Sequence, residues 1–122
     1  IYSTPDGESH FDDVELPTTP VRVHPEAAAF EMSAKYGTAT LRFTRIPAGA
    51  RQVSWHTVPE RVLTVRLDGA ADCETSDGDQ RTVAAGGFIL FEDTRGKGHR
   101  TFHSPEAQTV LWISLPNGLH DN

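Results

Sequence analysis

The sequence predicts an all-β fold, on three observations. Ten glycines and eight prolines punctuate the 122 residues at short intervals. The stretches between them are rich in Val, Thr, Phe and Leu, and several alternate apolar and polar residues with the period of two that sends side chains to opposite faces of a strand. Finally, an Asp77-Gly78 step lies between two such stretches, where Asp-Gly is a strong hairpin signal.

The elements follow in order. Pro17 and Pro20 bracket Leu16 to Pro20 as extended chain, and Pro25 to Met32 admits a short helix with proline in its first turn. Thr38 to Ile46 alternates as a strand, Leu41 and Phe43 on one face and Arg42 and Thr44 on the other, until Pro47-Ala48-Gly49 ends it. Val62 to Asp68 alternates again, with Leu63, Val65 and Leu67 against Val62, Thr64, Arg66 and Asp68; pattern alone leaves open which set faces inward. Ala71 to Thr75 should pair with Arg81 to Ala84 across Ser76 to Asp79. Phe88 to Glu92 is apolar enough to be buried on both faces, and Thr109 to Leu115 makes the last strand. About seven to ten short strands in a chain of this size imply a sandwich or closed barrel, because an open sheet leaves adhesive edges. The expectation is one domain over 1–122, its barrel core at about 38–115, preceded by an N-terminal arm.

Composition narrows the partners. Seventeen acids against eleven bases give a formal charge of −6, so the attraction that drives binding to phosphate backbones is missing, and nucleic acid and membrane are not expected. The lone Cys73 cannot form an internal disulfide, and the apolar run Phe88 to Phe91 is far shorter than a bilayer span. With no basic, apolar leader at Ile1-Tyr2-Ser3, the cytoplasm is the expected compartment.

Two sets of landmarks then carry a resemblance. Gly49, His56 and Gly69 match parts of one motif; Gly87, Asp93, Gly96, His99 and His103 match parts of a second. The chain in this respect resembles the cupin superfamily, small jelly-roll barrels whose two motifs flank a hairpin and often hold a metal. A nearer resemblance is to small single-domain cupins, poorly characterised, that carry stretches like Asp6 to Glu15, Trp55 to Pro59 and Glu92 to His99. The sequence departs from the full pattern: Val58 stands at the second histidine, Val62 at the glutamate, and aspartate and histidine replace the proline and asparagine of the second motif. The resemblance implies a jelly-roll barrel and an N-terminal arm that covers the barrel or pairs with a second subunit, the role open to His10. Homodimers are expected on the same ground.

Histidine is both a common metal ligand and the natural proton shuttle near neutral pH. His56 shares parity with Gln52 and Ser54, and His99 with Thr101 and His103. If both stretches sit where the motifs place them, His56, His99 and His103 point into one barrel mouth and could hold Zn, Fe, Mn or Ni; a metal-free pocket is the other reading, favoured by Val62 at the glutamate position. Glu60 could replace the missing carboxylate or be a solvated loop acid. Gln52, Val62, Thr64 and Thr101 are expected to line the pocket. Arg66, if it faces inward, needs an anion there, either Glu92 or the carboxylate or enolate of a ligand; if outward, it is merely wet. His56, His99 and Arg66 together suit proton transfer beside a carbonyl, with imidazole as acid or base and the cation on the developing oxyanion. The expected activity is an isomerisation, cyclisation or elimination of a small organic molecule; the rival is a non-catalytic binding protein.

Other motifs give way to structural readings. Asp93 to Gly98 lacks the spacing and the following helix of a phosphate loop and reads as the turn into the strand of His99. Asp77-Gly78-Asp79 lacks the later carboxylates of a calcium loop. Ser9 and Cys73 have no nucleophile geometry around them, and Trp55, Trp112, Phe43, Phe88, Phe91 and Phe102 are assigned to the core by default.

Overall fold

The computed structural model describes residues 1–50 and 54–119. They form β1 (Tyr2–Ser3), β2 (Ser9–His10), β3 (Thr18–Val21), β4 (Phe30–Ser33), β5 (Leu41–Ile46), β6 (Val62–Arg66), β7 (Ala71–Thr75), β8 (Gln80–Val83), β9 (Phe88–Phe91), β10 (His99–His103) and β11 (Gln108–Ser114). The all-β expectation holds, and no helix among the described residues is long and apolar enough to cross a membrane. The Pro25–Met32 helix does not form. Its second half is β4, whose Phe30 and Met32 pair with Val21 and Thr19 of β3 in a two-stranded ribbon; alternation of large apolar residues outweighs the helix-start signal of Pro25.

Four strands pair antiparallel in the order β5-β11-β6-β9, and three in the order β10-β7-β8. The predicted hairpin is present as β7 and β8, with Gly78 at φ 89° in its turn. The backbone pairing among the described residues gives these sheets and two small ribbons, β1-β2 and β3-β4, with no continuous ring. Val62, Ile89 and Phe91 from the larger sheet pack in one cluster with Cys73 from the smaller and with Val58 and Ile1, so the two sheets face each other.

Register settles which way each strand turns. Val62, Thr64 and Arg66 are buried while Leu63 and Val65 are half-buried and Leu67 is exposed. Val110, Trp112 and Ser114 on β11 stand opposite Arg66, Thr64 and Val62, and Ile89 and Phe91 on β9 stand opposite Thr64 and Val62; all share the inner face. Leu41, Phe43, Leu111, Ile113, Leu63, Val65, Leu90 and Phe88 therefore occupy the outer face together. Two expectations are corrected by this register. Phe88 to Phe91 is not buried on both faces, since Phe88 is 62% exposed. Of the aromatic residues assigned to the core only Phe91 is buried; Phe43, Phe88, Trp55 and Trp112 are exposed. Phe102 is half-buried and lies with Trp55 against the Arg100 guanidinium.

Candidate functional site between the sheets

The turn from β9 into β10 builds one end of the site. Asp93 leaves β9 and the chain doubles back through Gly96 and Gly98, both at positive φ, to place His99 first on β10. Gly98 is required at its position: a Cβ there would lie 2.0 Å from the His56 carbonyl oxygen. The closeness reflects an isolated antiparallel bridge, in which the His56 N–H donates to His99 O and the His99 N–H to His56 O, each at 2.9 Å. Two histidines far apart in the chain are thereby juxtaposed, their ring centroids 4.6 Å apart.

Their environments differ. His99 is 2% exposed, lies against Phe91, and its Nδ1 donates to Asp93 Oδ2 at 2.5 Å; the Asp93 side chain is fully buried and its Oδ1 has no partner. His56 is exposed at the rim, and its Nδ1 donates to the Ser54 carbonyl at 2.7 Å. With Nδ1 engaged as donor, each ring keeps Nε2 as its acceptor nitrogen, and the buried Asp93 carboxylate fixes the tautomer and orientation of His99.

Arg66 stands at the opposite end of β6. It is 4% exposed, its Nη1 donates to Gln108 Oε1 at 2.9 Å, and its Nε has no partner. Gln108 is held in turn by its amide nitrogen, which donates to Ala70 O at 2.7 Å and to Ser104 Oγ. Among the described residues no carboxylate pairs with Arg66. Glu92, the protein acid considered for it, lies 3.5 Å from Arg61 instead. Burial pulls the Arg66 pKa down, as expected for a cation without a counter-ion. Nearby, burial and then the Arg66 charge push His103 below its ordinary range, and His103 Nδ1 is also unpartnered. Thr64, Thr101 and Cys73 are buried between the two ends, with Cys73 Sγ 3.9 Å from Thr101 Oγ1, and Ser114 adds a buried hydroxyl without a partner.

The structure thus brings together His56 with His99, and places Arg66, Val62, Thr64 and Thr101 on the inner faces. It does not gather the three histidines. His99 and His103 are four residues apart on one strand, roughly 13 Å between Cα atoms, too far for both to bind one ion. Among the described residues no three His, Cys, Asp or Glu side chains could hold a metal. The three-histidine centre is corrected on that geometry: strand parity put His103 on the same face as His99 but at the other end. Glu60 is exposed and Val62 is packed in the core, so neither completes a ligand set. Gln52 lies outside the described residues. Arg66 sits with His103 and Gln108 and not beside His56 and His99, so the inner face has two separate polar ends.

Asp93 and Gln108 were missed as site residues. The sequence marks Asp93 only as a motif landmark and turn residue; the signal available for its contact was the paired glycines, which fold residue 93 back against residue 99. Nothing in the local pattern marked Gln108, whose role depends on β11 lying beside β6. His10 belongs to the arm of its own chain, its Nδ1 3.0 Å from Asp77 Oδ2 in the β7-β8 turn and its Nε2 3.0 Å from Thr4 Oγ1. Separate from the inner face, a groove of about 860 Å³ runs along β9, lined by Tyr2, Phe11, Leu63, Arg81 and Phe88 among others.

No protein-family model matches the chain, and no curated protein does. Solved structures with similar folds include a cupin protein of Bacteroides fragilis, 16% identical over 94% of this chain and 89% of that one, with a TM-score of 0.48. A conserved protein of unknown function from Streptococcus pyogenes is 18% identical over 68% of each chain, also at 0.48. A putative ethanolamine utilization protein Q of Salmonella typhimurium is 15% identical over 86% of this chain and 98% of that one, at 0.39.

Proposed function

We propose that the two sheets are the walls of a cupin-type jelly roll that binds a small organic acid, with the carboxylate on Arg66 and Gln108 and proton transfer at the His99 end. The observation that carries this reading is Arg66: a guanidinium only 4% exposed, with an unpartnered Nε and no acid paired with it among the described residues. An isolated buried cation is costly, and an arginine fork is suited to a carboxylate, so a ligand anion is the natural partner. His99, oriented by Asp93, then serves as base, and His56 at the rim returns or removes the proton. A base at one end of the inner face and a carboxylate anchor at the other suit proton transfer on an acid long enough to span both, as in an isomerisation, cyclisation or elimination.

The test is solvent exchange. Adipate, pimelate, suberate and 2-oxosuberate, long enough to reach from Arg66 towards His99, are incubated with the protein in deuterium oxide, and loss of the signals of protons α to a carboxyl or carbonyl is followed by NMR. The reading predicts exchange on at least one acid, reduced about 10²- to 10⁴-fold by His99→Ala or Asp93→Asn in folded protein. Binding that depends on Arg66 without any exchange favours the second reading, a non-catalytic binding protein in which the histidines only orient the ligand. Neither binding nor exchange across the panel contradicts both.

A further inference from the structure

His103 ends β10 opposite Ala71, at the same end of the inner face as Arg66. The Gln108 amide donates to Ala70 O at 2.7 Å and to Ser104 Oγ, so it is pinned between the residue before that Ala71 and the residue after His103. Its Oε1 accepts from Arg66 Nη1 at 2.9 Å. His103, Gln108 and Arg66 are therefore one cluster. A cleft of about 440 Å³ opens beside it, lined by residues 70–72 and 102–105, His103 among them. That volume lies within the range of small-molecule sites.

Two nitrogens of this cluster are buried without a partner, Arg66 Nε and His103 Nδ1. For His103 this is costly in either neutral tautomer, because Nδ1 is then a buried N–H with no acceptor or a buried lone pair with no donor. Protonation alone does not relieve it, since an imidazolium is repelled by the unpaired guanidinium; burial and then the Arg66 charge hold His103 below its ordinary range. An anion changes both conditions at once. A carboxylate on Arg66 cancels the positive charge that opposes protonation and supplies the acceptor that Nδ1–H lacks. Among the described residues no acid already does so. Asp72, beside the cleft, is exposed and accepts from Thr82 Oγ1 at 2.5 Å. Glu106, in the loop after β10, is exposed, and Cys73, facing inward from β7, is kept a neutral thiol by burial.

We propose that His103 is a third ligand-binding group at this end and that it takes up a proton when a carboxylate binds Arg66. The inference rests on the carboxylate reading of Arg66 and adds its control by pH: the acid is held more tightly as pH falls and is let go as pH rises. Without ligand, His103 is mostly neutral near pH 7, in keeping with the direction of its shift. With an anion on Arg66 its proton affinity rises, so the complex carries more protons than its parts wherever pH lies between the two His103 pKa values. Affinity then falls by up to about tenfold per pH unit as pH rises through that window, and levels off outside it while the acid stays ionised.

Isothermal titration calorimetry of adipate, pimelate, suberate and 2-oxosuberate, near pH 7 where imidazole titrates, tests the proposal on the full chain. Run in MOPS and in Tris, which differ in heat of ionisation, it counts the protons exchanged on binding. The unmutated protein is expected to take up a fraction of one proton per acid bound, and His103→Gln none. The His103 Cε1–H resonance, assigned by its loss in His103→Gln, repeats the test on the unmutated protein: its pKa rises when an acid saturates the site. It also rises, without ligand, in Arg66→Met. Arg66-dependent binding that takes up no proton, or uptake that persists in His103→Gln, overturns this inference and leaves the carboxylate reading standing. No Arg66-dependent binding by any of the four acids overturns both, and a His103 pKa indifferent to Arg66→Met overturns the coupling on its own.

Discussion

The two faces of the larger sheet invert the usual arrangement. Between the sheets, Thr64, Arg66, Gln108 and Ser114 are buried beside Val62, Ile89 and Val110; on the solvent side, leucine, isoleucine, valine and phenylalanine run across four strands. Burying polar groups costs free energy unless each finds a partner, and exposing apolar area forgoes about 25 cal/mol per Å². Among the described residues Arg66 Nε, His103 Nδ1 and Ser114 Oγ have no partner on the inner face, while Phe43 and Phe88 on the outer face are mostly exposed. The difference teaches that strand alternation, which usually sends apolar residues inward, here turns polar side chains toward the other sheet and apolar ones away from it.

Phe91 and Phe88, on one strand but on opposite faces, provide the largest contrast. Phe91→Ala should destabilise the protomer by about 3–5 kcal/mol, because it empties the cluster around Val62, Cys73 and His99. Phe88→Ala, at a residue 62% exposed, should cost less than about 0.5 kcal/mol. Urea unfolding of the pair is the check, and equal losses would remove the distinction between the faces.

Arg66→Met sharpens the inner side. Replacing an unpaired buried cation by an apolar side chain of similar reach should leave the ligand-free protein as stable or stabilise it by about 1–3 kcal/mol, while abolishing carboxylate binding. A large loss of thermal stability in the absence of ligand would mean that Arg66 is a structural strut.

A smaller effect comes from His103. Its folded pKa is depressed by burial and then by Arg66, so between that value and the unfolded value near 6.5 the unfolded chain binds more protons. The contribution is therefore complete above about pH 6.5, declines as pH falls through the window, and levels off below the folded pKa. His103→Gln should flatten the stability profile in that window, measured by thermal unfolding across the pH range. The smallest effect expected is on Cys73. Burial raises its thiol pKa and it is fully enclosed, so an aromatic disulfide reagent should react with it only on unfolding.

Much of the fold was legible because short strands announce themselves locally. The β7-β8 hairpin follows from Asp77-Gly78 and the strands around it, and the β5 and β6 positions from alternation. Facing was not legible: with Leu63, Val65 and Leu67 on one side and Thr64 and Arg66 on the other, any rule that sends apolar residues inward chooses the wrong wall. The pairing of His56 with His99 could be expected from the motif resemblance, and the Gly98 close approach gives its physical reason. Parity alone could not show that His103 lies a strand's length from His99, because it records the face and not the distance along it. Gln108 was hidden for a different reason: its contact with Arg66 spans 42 positions in sequence.

The account's central claim is that a ligand anion completes the inner face at Arg66. It is tested most directly by the ¹⁵N-labelled arginine Nε–H resonance of Arg66, assigned by its loss in Arg66→Met and titrated with malonate, succinate and 2-oxoglutarate. The account predicts a saturable downfield shift and slowed exchange with at least one acid, as the free Nε–H gains a charged acceptor. A resonance unmoved by all three, in protein whose sheets are intact, contradicts it.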